Sequence, residues 1–139
     1  MEEPKEPLRE DCRVRVIGGG LALDLALDEM RKAIYEYNSK IRESGYYLKP
    51  VHKTYKTLRE GVRRVYEYYG IYWWRLIKTK RGLRYFYVGK HKPPGLPEPP
   101  RLPVEGLSLA RDGRDVIIEC RVYDKFKDFF RGFQTVREV

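Results

Sequence analysis

Amides are almost absent from this chain: Asn38 and Gln134 are its only Asn and Gln, beside 29 Lys and Arg and 20 Asp and Glu. Amide side chains are heat-labile and ion pairs gain in value on heating, so this balance points to a hyperthermophilic source. Histidine is equally sparse. His52 and His91 stand in neither a metal-like nor a triad-like spacing, and Ser39, Ser44 and Ser108 lie in no nucleophile motif, which speaks against an ordinary hydrolase. Long hydrophobic runs are missing too. No apolar stretch approaches the roughly 20 residues that span a bilayer, and nothing has the form of a signal peptide. A soluble, cytoplasmic protein is expected, with no membrane partner.

Cysteine occurs twice, as Cys12 and Cys120, far apart and in no CxxC pair, so no zinc site is expected. Two ordinary thiols are the plain reading. A disulfide is the alternative, because intracellular proteins of hyperthermophiles carry them. At 139 residues the chain suits one compact domain.

What the chain does hold is positive charge in one place. Between Lys49 and Lys92 there are thirteen Lys and Arg against two acids, Glu60 and Glu67, while the remainder has sixteen basic and eighteen acidic residues. Charge that merely keeps a protein soluble has no reason to concentrate, so this segment is expected to meet a polyanion. Its end, IYWWRLIKTKRGLRYFYVGKHK from Ile71 to Lys92, combines six aromatic and eight basic residues, His91 included, and has no carboxylate.

Along the chain, residues 1–20 read as a mobile tail of about ten residues, a short strand in CRVRVI and a flexible turn at GGG. Residues 21–139 form the domain proper. Leu23, Leu27, Met30, Ile34, Tyr37 and Ile41 recur every three or four residues and predict a helix from Leu21 to about Ser44, which Gly45 can end. Tyr55, Leu58, Val62, Val65 and Tyr69 predict a second helix, with Lys53, Lys56, Arg59, Arg63 and Arg64 on its outer side and Gly70 as its stop. Ile71 to Ile77 and Leu83 to Gly89 predict a β-hairpin closed by a three- or five-residue loop at KTKRG. That loop length would place Ile71, Trp73, Arg75, Leu83, Tyr85 and Tyr87 on one face, and Tyr72, Trp74, Leu76, Arg84, Phe86 and Val88 on the other. Six prolines between Pro93 and Pro103 read as a stiff extended connector, with a PxxP docking site as the lesser alternative.

A second hairpin turns at Asp112–Gly113, with Leu107, Leu109, Val116, Ile118, Cys120 and Val122 facing one way. The Phe-rich end, Phe126 to Phe133, predicts a short helix or arm that covers the core or a second subunit. Together these elements predict an α+β fold: two N-terminal helices packed on one face of a four-stranded antiparallel sheet, with a short C-terminal helix or arm.

Two helices can cover only one face of the first hairpin, yet both faces bear rings. With Trp74, Leu76, Phe86 and Val88 turned to the core, Trp73, Arg75, Tyr85 and Tyr87 would form an exposed stacking surface. Lys78, Lys80 and Arg81 in the loop and Lys90 and Lys92 beyond it would meet phosphates, with Arg63 and Arg64 of the second helix adding charge. Bases stack on such rings only where their faces are free, as in a single strand, and a chain nearly without amides is poorly equipped to read base edges in a groove. Largely sequence-independent, non-enzymatic binding of single-stranded nucleic acid, without a cofactor, follows as the expectation. A second reading is a protein-interaction subunit whose rings meet a partner. A third is a metal-dependent nuclease using Asp112, Glu119 and Arg121; arginine in the place of a lysine weakens it, because arginine does not release its proton.

Two helices followed by a basic, aromatic, four-stranded antiparallel region make the stretch from Leu21 to Tyr123 resemble the ThermoDBP family of archaeal single-stranded DNA-binding proteins. The resemblance implies a cleft lined by rings and edged by cations, DNA ahead of RNA as the ligand, and self-association into an oligomer. The hairpin YWWRLIKTKRGLRYFYVGK also resembles short DNA-contacting hairpins of transposase and integrase accessory segments.

Overall fold

A computed structural model describes residues 8–138. Most of the expected tail therefore lies outside the described residues; Leu8 itself is buried beside Ala110 and Ile117. The elements run β1 (Arg13–Val16), α1 (Gly19–Ala26), α2 (Asp28–Lys40), β2 (Tyr46–Thr57), β3 (Arg63–Thr79), β4 (Gly82–Gly89), β5 (Ser108–Asp112), β6 (Asp115–Glu119), α3 (Cys120–Lys125) and β7 (Thr135–Glu138). All seven strands join one antiparallel sheet in the order β2-β3-β5-β6-β1-β7. β4 pairs with the far half of β3. The sheet thus forks along β3: Val65–Tyr68 partner β5, and Trp73–Thr79 partner β4. No helix among the described residues is long and apolar enough to cross a membrane.

This architecture corrects the expected α+β layout. The sheet has seven strands rather than four, and the helices are short. The difference arises between Lys53 and Tyr69, where the predicted second helix is instead the β2–β3 hairpin. It turns at Arg59–Gly61, where Glu60 and Gly61 take φ of 68° and 75°, and the Leu58 amide donates to the Val62 carbonyl at 2.6 Å. Valine and tyrosine at 62, 65, 66, 68 and 69 suit a pleated strand. Their helix-like spacing came from a turn interrupting a period of two.

The first predicted helix is present but broken at Leu27 into α1 and α2, and Gly45 ends the region with φ of 81°. All six residues of its predicted stripe are buried. Asp28 and Glu29 open α2 and Lys40 closes it, charges that complement the helix dipole. The glycine run is a close-packed entry to α1 and not a flexible turn: a Cβ on Gly19 would lie 2.9 Å from a Val116 methyl carbon. Asn38, on α2, clamps the edge of β2. Its side-chain nitrogen donates to the Leu48 carbonyl and its oxygen accepts from the Leu48 amide, both at 2.9 Å.

The helices cover one face of the sheet. Val14, Val16, Leu48, Tyr69, Trp73, Leu107, Leu109, Val116 and Ile118 meet the helical stripe there. Leu107, Leu109, Val116 and Ile118 share this face as the second hairpin's sequence implies, although the turn residues are Gly113 and Arg114 and Cys120 begins α3. The proline-rich connector, 93–103, has no regular element; Tyr37 donates its hydroxyl to the Pro97 carbonyl at 2.5 Å. Phe126, Phe129 and Phe130 pack on the core of their own chain, and β7 then adds to β1.

Two arginines, Arg111 and Arg15, gather carboxylates within this body. Glu67 is 2% exposed and accepts from Arg111 at 2.7 Å and from the Tyr69 hydroxyl at 2.9 Å, as a buried carboxylate must. The same guanidinium reaches Asp24 at 2.7 and 3.1 Å. Burial raises the Asp24 carboxyl, but its pairing with Arg111 outweighs that and holds it below the usual range. Arg15 gathers Glu138, Asp112 and Asp115 at 2.6, 2.8 and 3.2 Å. Cys12 and Cys120 are joined in a disulfide, the alternative to the plain reading of two thiols, and the bond ties the start of β1 to the start of α3.

Candidate nucleic-acid interface

The helix-free face of the sheet carries a row of rings. Even-numbered positions of β3 point there: Tyr66, Tyr68, Tyr72 and Trp74, interrupted by Gly70, where the end of the Tyr72 ring would lie 3.5 Å from an added Cβ. Neighbouring strands add His52, Tyr47, Tyr85 and Tyr87. Trp74 pairs laterally with Tyr47 on β2 and Tyr87 on β4. Ring centroids are 5.3 Å apart for Trp74 and Tyr87, 6.4 Å for Tyr72 and Tyr87, and 5.8 Å for His52 and Tyr72. These separations lie within the range of roughly 4.5–7 Å for attractive aromatic pairs. Tyr66, Tyr68 and Tyr72 are buried within this cluster, and burial pushes the Tyr72 hydroxyl up to about 12. Toward the β3–β4 hairpin the row opens: Tyr85 is 51% exposed and Tyr47 is 38% exposed, with centroids 5.9 Å apart.

Cations border the open part. Lys49 places its ammonium 4.7 Å from the Trp74 ring and 5.4 Å from that of Tyr85, within the range of cation–π attraction. Lys90 lies 5.8 Å from the ring of Tyr72. A cleft of about 470 Å³ opens at the fork of the sheet, beside Tyr72 and Lys90, with Glu105 and Ser108 across from them.

Against this geometry the predicted site divides. Tyr85, Tyr87 and Lys90 lie together on the helix-free face. Trp73 does not: it is fully buried against the helices, edge-on to Tyr37 at 6.1 Å, and its Nε1 has no hydrogen-bond partner among the described residues. Arg75 also points to the other face, over Tyr46. The cause is the hairpin register. Thr79 pairs with Gly82, leaving only Lys80 and Arg81 as the turn. The Thr79 hydroxyl donates to the Gly82 carbonyl at 2.7 Å and accepts from the Arg81 amide. A two-residue turn sets odd positions opposite even ones, so Trp74 joins Tyr85 and Tyr87, and the predicted face assignment is corrected.

Among the other predicted cations, Lys78, Lys80 and Arg81 are exposed at the hairpin end. Arg63 stacks on Tyr55 at 4.0 Å on the opposite face. Arg64 leans toward Asp112 at 3.9 Å, and Lys92 donates to the Leu96 carbonyl. Tyr47, Lys49, Tyr72 and Trp74 were missed as site residues; a two-residue turn at Lys80–Arg81 was the signal that would have found Trp74. The nuclease constellation is not assembled. Asp112 is bound by Arg15, Glu119 stands four residues along β6 from the partner of Asp112, roughly 13 Å away along a strand, and Arg121 is on α3 beside Glu10. Among the described residues no group of His, Cys, Asp and Glu is placed to hold a metal ion.

Comparison of the chain with family models, with curated proteins and with solved structures finds nothing that matches.

Proposed function

We propose that the helix-free face binds single-stranded nucleic acid, DNA or RNA, with little sequence preference. The observation that carries this reading is the open end of the ring row: Tyr47, Trp74, Tyr85 and Tyr87 around Lys49. Unpaired bases would stack on Tyr85 and Tyr47, and Lys49 and Lys90 would meet the phosphates between them. Arg15 and Arg111 hold Asp112, Asp115, Glu138, Asp24 and Glu67 away from these rings, which leaves the cations here to attract a polyanion. The element order behind the ThermoDBP resemblance is not the order found, and the proposal stands on the surface alone.

The test is fluorescence anisotropy with labelled single-stranded DNA, single-stranded RNA and duplex at two salt concentrations. Salt-sensitive binding of the single strands is expected, and Tyr85→Ala or Trp74→Ala should weaken it by the equivalent of about 1–3 kcal/mol per lost stacking partner. Absence of single-strand binding at low salt would remove the proposal. Phe86 and Val88, exposed on the other side of β4, then favour the second reading, a subunit that presents this hairpin to a protein partner.

A further inference from the structure

The β3–β4 ribbon extends past the rest of the sheet. β2 accompanies β3 only to Arg75, opposite Tyr46, and the last backbone contact outside the ribbon is the Leu76 amide donating to the Gly45 carbonyl at 2.7 Å. Ile77–Thr79 and Gly82–Arg84 pair only with each other. Three strand pairs and the turn give an arm of roughly 10 Å.

The arm is cationic all round. Lys78 and Leu83 occupy one face, Ile77 and Arg84 the other, and Lys80 and Arg81 the tip. None of the four cations forms an ion pair among the described residues. Leu83 is 64% exposed between them. A flexible single strand offers one row of phosphates and would engage one face, whereas a duplex groove has a phosphate wall on each side. The major groove of B-DNA, about 12 Å wide, admits a two-stranded β-ribbon. Two strands about 4.8 Å apart fill such a groove once side chains are added.

We propose that the arm enters the major groove of duplex DNA adjoining the single strand, so that the preferred ligand is a junction between single-stranded and duplex DNA. The single-strand half of this statement rests on the function proposed above; the arm is an independent half. Tyr85 follows Arg84 directly in β4, so the ring row begins where the arm ends. Lys78 with Leu83 would face one wall of the groove and Ile77 with Arg84 the other, the tip residues Lys80 and Arg81 entering first, and with no amide on the arm the contact reads shape and charge and not base sequence.

The test measures affinity for a labelled single strand, a blunt duplex and the partial duplex that joins them. Wild type is compared with Lys80→Gln/Arg81→Gln at the exposed turn and, separately, with Lys78→Gln/Arg84→Gln. Wild type should bind the junction at least about tenfold more tightly than the single strand. Each double variant should erase most of that advantage and lower the salt slope of log affinity for the junction by about 2, roughly 0.9 per lost phosphate contact, with a distinctly smaller fold-loss on the single strand. A wild-type junction affinity equal to that of the single strand overturns the proposal. So does equal loss on both ligands in the variants. If the blunt duplex binds through the arm and the single strand does not bind, the arm stands and the ring-face reading falls.

Discussion

Trp73 and Trp74 are adjacent and chemically identical, yet one is sealed under the helices and the other borders the candidate site. Their difference is parity along β3, and a single residue of turn length decides it. No composition or charge count carries that information, which is why the ring-and-cation chemistry was legible and the identity of the exposed rings was not. Tyr72 shows what burial does to one such ring. Its hydroxyl, pushed up to about 12 by burial and then by Tyr87, ionises near 10 in the unfolded chain. The neutral form is favoured in the fold, so the stability it lends is whole below about pH 10 and fades as pH rises toward 12. Tyr69, raised by burial and by Glu67, acts in the same direction. Tyr72→Phe should match wild type in urea midpoint at pH 8 and lose less by pH 11. Parallel losses in both proteins would argue against the burial of that hydroxyl.

At the scale of elements, the helical stripe from Leu23 to Ile41 was readable because six apolar residues held one period without interruption. The β2–β3 hairpin was not, because Arg59–Gly61 reset the phase between two short runs and counterfeited a period of 3.6. The lone asparagine was read only as a sign of amide scarcity. In the fold Asn38 lends both amide groups to Leu48 and acts as one residue of an extra strand along the free edge of β2. Asn38→Ala leaves a half-buried carbonyl and amide without these partners, a cost of about 1–3 kcal/mol per group left unsatisfied. Calorimetry should register the fall in Tm. Asn38→Asp, which keeps the acceptor and loses the donor, should lie between the two, and an unchanged Tm in Asn38→Ala would show that water replaces the clamp fully.

At the scale of the whole molecule, the Cys12–Cys120 bond closes a loop of sequence separation 108. In the chain-entropy account a closure of that length is worth about 4–5 kcal/mol. Cys12→Ser/Cys120→Ser should therefore unfold at distinctly lower urea than wild type, and reductant should lower the wild-type midpoint toward the variant's without affecting the variant. Identical midpoints with and without reductant would contradict the bond. Above this staple stands a division of charge: Arg15 and Arg111 bind five carboxylates within the body, whereas Lys78, Lys80, Arg81 and Arg84 at the hairpin form no ion pair among the described residues. One strand joins the two regions: β3 runs 17 residues, with Tyr69 and Trp73 in the helix-covered core and Ile77–Thr79 in the projecting ribbon. Continuous backbone therefore couples the ribbon to the core, and a pull on its free end is carried along one strand into the residues packed beneath the helices.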